Sequence, residues 1–359
     1  MALRRRKKGW LLVFVVLVFS IFIPGDVGAC DFMALLTQRD CMIAQYTGIG
    51  NYEYPADFFQ FLRDRSTQNL NNDGYGVIYY RRGSPTILYG PDNESIFTQA
   101  FYLLGFYTWY GKQGNPVPEP LDVAEDRVMN EDLEAVIVMG HDRNGSGGIG
   151  QHPFRFEWEN SATTFCLQHN GDINAYTNNY PPLPWSYVKE QIIHFLRDDP
   201  ITGDPLWFVH YPLNWIESGT TPFDPGDAVD SELLLHFIMW HLINNNCSVE
   251  TAIASALNHD ILREILYDHT DSYEANFVFS NAKALYIVRT SHYDISNPDF
   301  HNISYRDYRN GLVAVKTQAD IPNGGVRVPD NALVVISRQG DIVTHPNIVC
   351  PIHTGSVTK

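Results

Sequence analysis

The chain has 359 residues, 44% of them hydrophobic, and a formal net charge of −16. That apolar fraction can build a substantial core, while so acidic a chain is short of the Lys and Arg that phosphate neutralisation needs, which argues against nucleic-acid binding. Five cysteines and thirteen histidines contain no CxxC or Cys/His cluster of zinc-like spacing, so neither a metal nor a cofactor is expected.

The chain opens on a leader. Arg4, Arg5, Arg6, Lys7 and Lys8 form a basic start, and Trp10 to Ile23 is an uncharged apolar run. Pro24, Gly25 and Asp26 break it, and Val27-Gly28-Ala29 places small residues before Cys30, as a signal-peptidase site requires. The run is shorter than the ~20 residues of a spanning helix, so a retained anchor is the weaker reading. Val27-Gly28-Ala29-Cys30 also passes loosely for a lipid-attachment box. Residues 1–29 are therefore expected to be a signal peptide and 30–359 one domain, secreted or periplasmic.

The leader's five basic residues and Asp26 sum to +4, so the 330 residues from Cys30 onward carry −20. Such a charge suits solubility outside a cell. If Cys30 stays free, Cys41, Cys166, Cys247 and Cys350 would permit up to two disulfides, in any of three pairings. A cut after Ala29 would give Cys30 a free α-amino group beside its thiol. Nucleophile and base would then share one residue.

From Cys30 the elements follow in order. Asp31 to Thr37 is a plausible strand, and Pro55 opens a helical pattern through Phe58, Phe59 and Leu62. Tyr75 to Tyr80 is β-branched and aromatic, as strands are. Phe97 to Tyr107 has a helical pattern, and Gly111 to Leu121 is a Gly- and Pro-rich loop. Ala135 to Met139 is a buried-strand run ending at His141, and Thr163 to Gln168 is another ending at His169-Asn170-Gly171. Helical spacing predicts helices over Trp185 to Leu196, Ser231 to Ile243 and Thr251 to Leu266. Strands are expected at Ala275 to Phe279, Ala284 to Val288, Leu312 to Val315 and Ala332 to Ile336. No internal repeat interrupts the chain. Pro298 to Asn310 is its one internal linker candidate, and it is not expected to separate independent domains. Strands, then helices, then strands predict a layered α+β fold.

Four islands concentrate chemistry, and each has a plainer reading. Asn72-Asp73-Gly74-Tyr75-Gly76 favours a tight turn. Gly140-His141-Asp142-Arg143-Asn144-Gly145-Ser146-Gly147-Gly148 follows a strand, and its glycines would let a ligand approach the backbone. Arg143 there can hold a carboxylate through two parallel hydrogen bonds; a solvated loop is the alternative. A formal GxGxxG at Gly145, Gly147 and Gly150 lacks the helix that a dinucleotide site needs. Asn170 and the Gly171 amide can form an oxyanion hole, although Asn-Gly is also the commonest hairpin pair. Asp230-Ser231-Glu232 begins a helical pattern, where Asp230 is a natural N-cap and Glu232 suits the helix's positive end. Alternatively, Asp230 binds a substrate ammonium.

The order of these islands is more telling than any one of them. A cysteine, then Asp73-Gly74-Tyr75-Gly76, His141-Asp142-Arg143 with glycines, His152-Pro153-Phe154, His169-Asn170-Gly171 and Asp230-Ser231-Glu232 resembles the class II glutamine amidotransferases, in their stand-alone form without a synthase domain. The specific motifs run from Cys30 to about Ile243. Asn276-Phe277-Val278-Phe279-Ser280, Leu285-Tyr286 and Val328 to Val335 extend the likeness more faintly.

The resemblance implies the four-layer αββα fold of N-terminal-nucleophile hydrolases and cleavage of a γ-glutamyl amide through a Cys30 thioester. It implies oxyanion stabilisation by Asn170 and Gly171. It implies that Arg143 holds an α-carboxylate and Asp230 an α-ammonium, with His141 and Gly147 completing the substrate site. His141 and His169 are expected to brace loops rather than to act as bases. The expected partner is a small γ-glutamyl amide. Two alternatives stand: a hydrolase of another linear amide, and a non-catalytic lipid-anchored binding protein on the same scaffold. The resemblance favours the cut after Ala29, because it implies an unmodified N-terminal cysteine.

Overall fold

The computed structural model describes residues 31–46, 58–62, 74–82, 106–111, 125–126, 128–129, 135–143, 153–158, 164–170, 187–197, 207–213, 229–263, 275–290, 302–317 and 325–350. In chain order the described strands are β1 Asp31–Thr37, β2 Gly74–Arg81, β3 Phe106–Gly111, β4 Ala135–Arg143, β5 Phe154–Glu157, β6 Thr164–Asn170, β7 Asn276–Ser280, β8 Ala284–Arg289, β9 Ile303–Asp307, β10 Leu312–Thr317, β11 Val326–Arg327, β12 Ala332–Ser337 and β13 Ile342–Pro346. They form two antiparallel sheets. The first has the order β11-β9-β10-β1-β4-β2-β3 and the second β13-β12-β8-β7-β6-β5.

The apolar runs of β1, β4, β6, β7 and β8 scarcely alternate with polar residues, because both faces of these strands are covered. Successive side chains of β6 enter different cores. Cys166 joins Val278, Leu285 and Ile287 in the core between the sheets. Leu167 joins Phe277, Phe279, Tyr286 and Val288 in a second core beneath the helices. Each such large side chain removed from water contributes roughly 1.5–3 kcal/mol.

The helices are α1 at residues 58–62, α2 Tyr187–Arg197, α3 Trp207–His210, α4 Asp230–Asn245 and α5 Val249–Leu257. Residues 231–242 of α4 are all buried, so α4 is apolar almost all round and lies at the centre of the helical layer. Among the described residues, no helix is long and apolar enough to cross a membrane. On the far side, α1 covers the first sheet. A Cβ added at Gly140 would stand 2.6 Å from Leu62 Cδ1 and 2.7 Å from Phe58 Cζ. The next residue of β4, His141, points the other way, to the second sheet. The layers therefore run α, β, β, α, as expected for an N-terminal-nucleophile-hydrolase-like fold.

Several sequence expectations are corrected. Phe106 and Tyr107 lie in β3 rather than in a helix; residues 97–105 are outside the described residues, as are 112–121 of the expected loop. Gly74, Tyr75 and Gly76 are extended and paired within β2, and Asn72 and Asp73 of the expected turn lie outside the described residues. The expected linker at Pro298 to Asn310 contains β9, an inner strand paired with both β10 and β11. The helix over Thr251 to Leu266 breaks at Asn258, whose side-chain amide donates to the Ala254 carbonyl at 2.8 Å and the Ile348 carbonyl at 2.6 Å. Cys41, Cys166, Cys247 and Cys350 are all free thiols. Cys166 is sealed between the sheets, where burial pushes its thiol up to about 12.

The helical layer holds an aromatic and histidine cluster. Phe195 meets Trp240 at 4.6 Å between centroids, Phe237 meets His241 at 5.1 Å, and His241 meets His259 at 5.9 Å. Burial, and secondarily the neighbouring His259, lowers His241 to about 4.

Candidate active site

Three strand ends meet at one edge of the sandwich. Asp31, the residue after Cys30, pairs with Asp142, and Phe32 pairs with His141, so β1 begins where β4 ends. The polypeptide of β6 reaches the same level in the facing sheet. His141 Nε2 donates to the His169 carbonyl at 3.1 Å, and Gln168 Nε2 approaches the Met33 carbonyl at 3.5 Å. Alternation in β4 thus separates two tasks: Gly140 admits α1 on one face, and His141 ties the sheets on the other.

The start of α4 joins this edge. Ser231 Oγ donates to Asp230 Oδ1 at 3.3 Å, and the Ser231 backbone N–H donates to the same oxygen at 2.8 Å. With its proton spent on Asp230, the hydroxyl accepts from His169 Nδ1, 2.8 Å away. In that arrangement His169 Nδ1 carries a proton. Asp230, Ser231, His169 and His141 are thereby linked in one run of hydrogen bonds across three layers. His141, His169 and Ser231 are all buried.

Asp230 is not the N-cap expected from the sequence. Val229 occupies that position with extended backbone and no side-chain cap bond, and Asp230 is the first helical residue. Its carboxylate suits the positive end of the α4 dipole. Glu232, one residue beyond Ser231, is fully buried in the same turn.

Asn170 ends β6 opposite Asn276 and is 2% exposed. By alternation it points toward the first sheet, away from His169. Asn170 is extended within β6 and pairs with Asn276 of β7, the next described strand, while Gly171 of the expected hairpin pair lies outside the described residues. Arg143 is the last residue of β4, paired with Gly74. Cys30, Gly147 and Gly171 lie outside the described residues.

The structure therefore brings together His141, Asn170 and Asp230, with Arg143 at the adjoining strand end. Sequence reasoning missed Ser231. The available signal was the only hydroxyl of the helix, at its second position between Asp230 and Glu232. Gln168, which had no expected role, spans the sheets beside β1. Among the described residues, no group of three or more His, Cys, Asp or Glu side chains could hold a metal ion.

The described elements make an α+β fold of two stacked antiparallel sheets between helical layers, the first described strand beginning one residue after a cysteine in the sequence. No family model matches the chain, and no curated protein matches it. Among solved structures it is similar to glutamine phosphoribosylpyrophosphate amidotransferase from B. subtilis, complexed with ADP and GMP, at 12% identity and a TM-score of 0.48, over 89% of this chain and 49% of that one. It is similar to a glutamine aminotransferase class-II domain protein from Silicibacter pomeroyi at 17% identity and a TM-score of 0.44, over 88% of this chain and 99% of that one. It is also similar to a predicted glutamine amidotransferase from Pseudomonas aeruginosa at 13% identity and a TM-score of 0.32, over 88% and 95%. The chain spans about half the length of the B. subtilis enzyme.

Proposed function

We propose that this chain is a secreted amidohydrolase that cleaves a γ-glutamyl amide, glutamine or a γ-glutamyl compound, through an N-terminal cysteine. The observation that carries the reading is the junction of three sequence islands at one edge: β4 with His141, β6 with His169 and Asn170, and α4 with Asp230. Asp31, one residue after Cys30, begins its strand at the same edge.

In this reading the Cys30 thiol attacks the amide carbonyl. The α-amino group of Cys30, directly or through water, takes the thiol proton and returns it to the leaving amine. The unperturbed values, ~8.5 for a thiol and ~8 for an α-amine, suit that exchange. Asn170 and the Gly171 amide hold the developing oxyanion. Water then hydrolyses the thioester and frees the thiol. Arg143 grips the α-carboxylate of the glutamyl part, and Asp230 its α-ammonium. His141 and His169 brace the strand ends.

The test is the mass and N-terminal sequence of the mature protein, with ammonia and glutamate release measured over a panel of γ-glutamyl amides. A free Cys30 α-amine together with release from at least one amide is the expected result. Full activity in protein that keeps leader residues would overturn the self-base mechanism. A diacylglyceryl group on Cys30 would overturn the enzyme reading in favour of a lipid-anchored binding protein.

A further inference from the structure

One hydroxyl joins two regions of the site that the sequence holds far apart. Ser231 Oγ lies 3.3 Å from Asp230 Oδ1 and 2.8 Å from His169 Nδ1, and Ser231 is 2% exposed. His169 is the residue immediately before Asn170, and its carbonyl takes the proton of His141 Nε2 at 3.1 Å. The three groups make a directional relay. His169 Nδ1–H donates to Ser231, and Ser231 O–H donates to the Asp230 carboxylate. A bond to an ionised acceptor is roughly twice as strong as a neutral one, so the hydroxyl is held most firmly when Asp230 is charged. The His169–Ser231 bond is buried, which keeps water from replacing it, while the Ser231–Asp230 bond is part-buried and leaves the carboxylate within reach of the site. The side-chain cap of α4 is not Ser231's task, because Val229 stands at the cap position. Its backbone N–H already serves Asp230, so the hydroxyl is left for His169 and the carboxylate.

We propose that Ser231 is a positioning residue that holds the Asp230 carboxylate at a fixed distance and orientation from the Asn170 strand end, and so sets selectivity for amides that carry an α-ammonium. The proposal rests on the γ-glutamyl reading above. Asp230 touches the substrate's ammonium, and Ser231 acts only through Asp230. A charged partner is worth most when its oxygens cannot rotate away, so loss of the hydroxyl weakens recognition of the ammonium rather than the chemistry at the amide carbon.

The experiment uses the mature protein. kcat and KM are measured on glutamine and on the analogue lacking the α-amino group, for wild type, Ser231→Ala, Ser231→Thr, Asp230→Asn and the double variant Ser231→Ala/Asp230→Asn. Ser231→Ala should raise KM for glutamine by about tenfold, with kcat and the des-amino KM changed by less than about twofold. Ser231→Thr keeps the hydroxyl and should restore most of the loss. In the Asp230→Asn background the Ser231→Ala change should add little, because the group it positions is already neutral. His169→Asn, which keeps a donor near the Nδ1 position, should stay closer to wild type than His169→Leu, which guards against a folding defect in any one variant. Equal losses on both substrates for Ser231→Ala, or additive losses in the double variant, would overturn the relay while leaving the hydrolase reading intact. Wild-type protein that cleaves neither substrate overturns both.

Discussion

His141 on β4 donates its Nε2 proton to the main-chain carbonyl of His169 on β6, across the space between the two sheets, at 3.1 Å. The bond links two strands that belong to different sheets and fixes how far β6 can slide along β4. Asn170, one residue beyond that carbonyl, takes its position from it. Removing the donor would leave a buried carbonyl without this partner, at a cost of ~1–3 kcal/mol. His141→Leu should therefore lower the melting temperature and reduce turnover together. His141→Gln carries a donor at the place of Nε2 and should recover most of both. Recovery of stability without turnover would show that the imidazole does more than brace the strand.

Gly140 makes room for α1. Its missing Cβ would lie 2.6 Å from Leu62 Cδ1 and 2.7 Å from Phe58 Cζ, both on fully buried residues. Gly140→Ala should cost ~1–3 kcal/mol by overpacking. Trimming the obstacle, as in Gly140→Ala with Leu62→Ala, should cost less than the sum of the two single changes. Strict additivity in urea unfolding would mean that the helix does not rest on Gly140.

Binding and chemistry should separate between Asn170 and Arg143. Asn170→Ala is expected to lower kcat by ~10²–10³, the usual loss of one oxyanion donor. Arg143→Ala should mainly raise KM. The check is steady-state kinetics on the best amide of the panel. A kcat near wild type for Asn170→Ala would reduce Asn170 to a strand terminus.

Acid should loosen the helical layer before it reaches the sheets. Burial holds His241 at about 4 in the folded protein, against ~6.5 for an exposed histidine. The unfolded chain therefore binds more protons than the folded one between those values, and stability falls as pH falls through that window. Above ~6.5 the His241 contribution is complete, and below about 4 the loss levels off. His236, buried and lowered to about 3, acts in the same direction over a wider range. Urea midpoints measured from pH 7.5 down to pH 4 should decline, and His241→Gln, neutral throughout, should decline less steeply. An identical slope in the variant would show that His241 does not carry the effect.

Most of the strands and helices and the acidic character were legible in the residues alone. Runs such as Ala135 to Met139 and Phe277 to Phe279 declare buried strands by composition, since no other setting hides so many β-branched and aromatic side chains in a row. The order of islands from Cys30 to Asp230 also carried the expectation of an αββα fold. Where local signals were weak they misled. Phe106 and Tyr107 fit a helical period, but they form an edge strand because β2 offers a partner for their backbone. Asp230 has the chemistry of a cap, but the helix begins one residue earlier than that role allows, and its carboxylate takes the Ser231 amide and hydroxyl.

Sequence by itself determined which residue types are present, where the chain is apolar on both faces and which polar groups are out of place in that setting. It did not determine that His169 should meet Ser231, 62 positions away, or that Gly140 serves a helix rather than a ligand. Those are properties of the stacked layers. A hydrogen bond between distant residues depends on the sheet spacing and on strand register, and both are set by the packing of the whole core rather than by any local pattern.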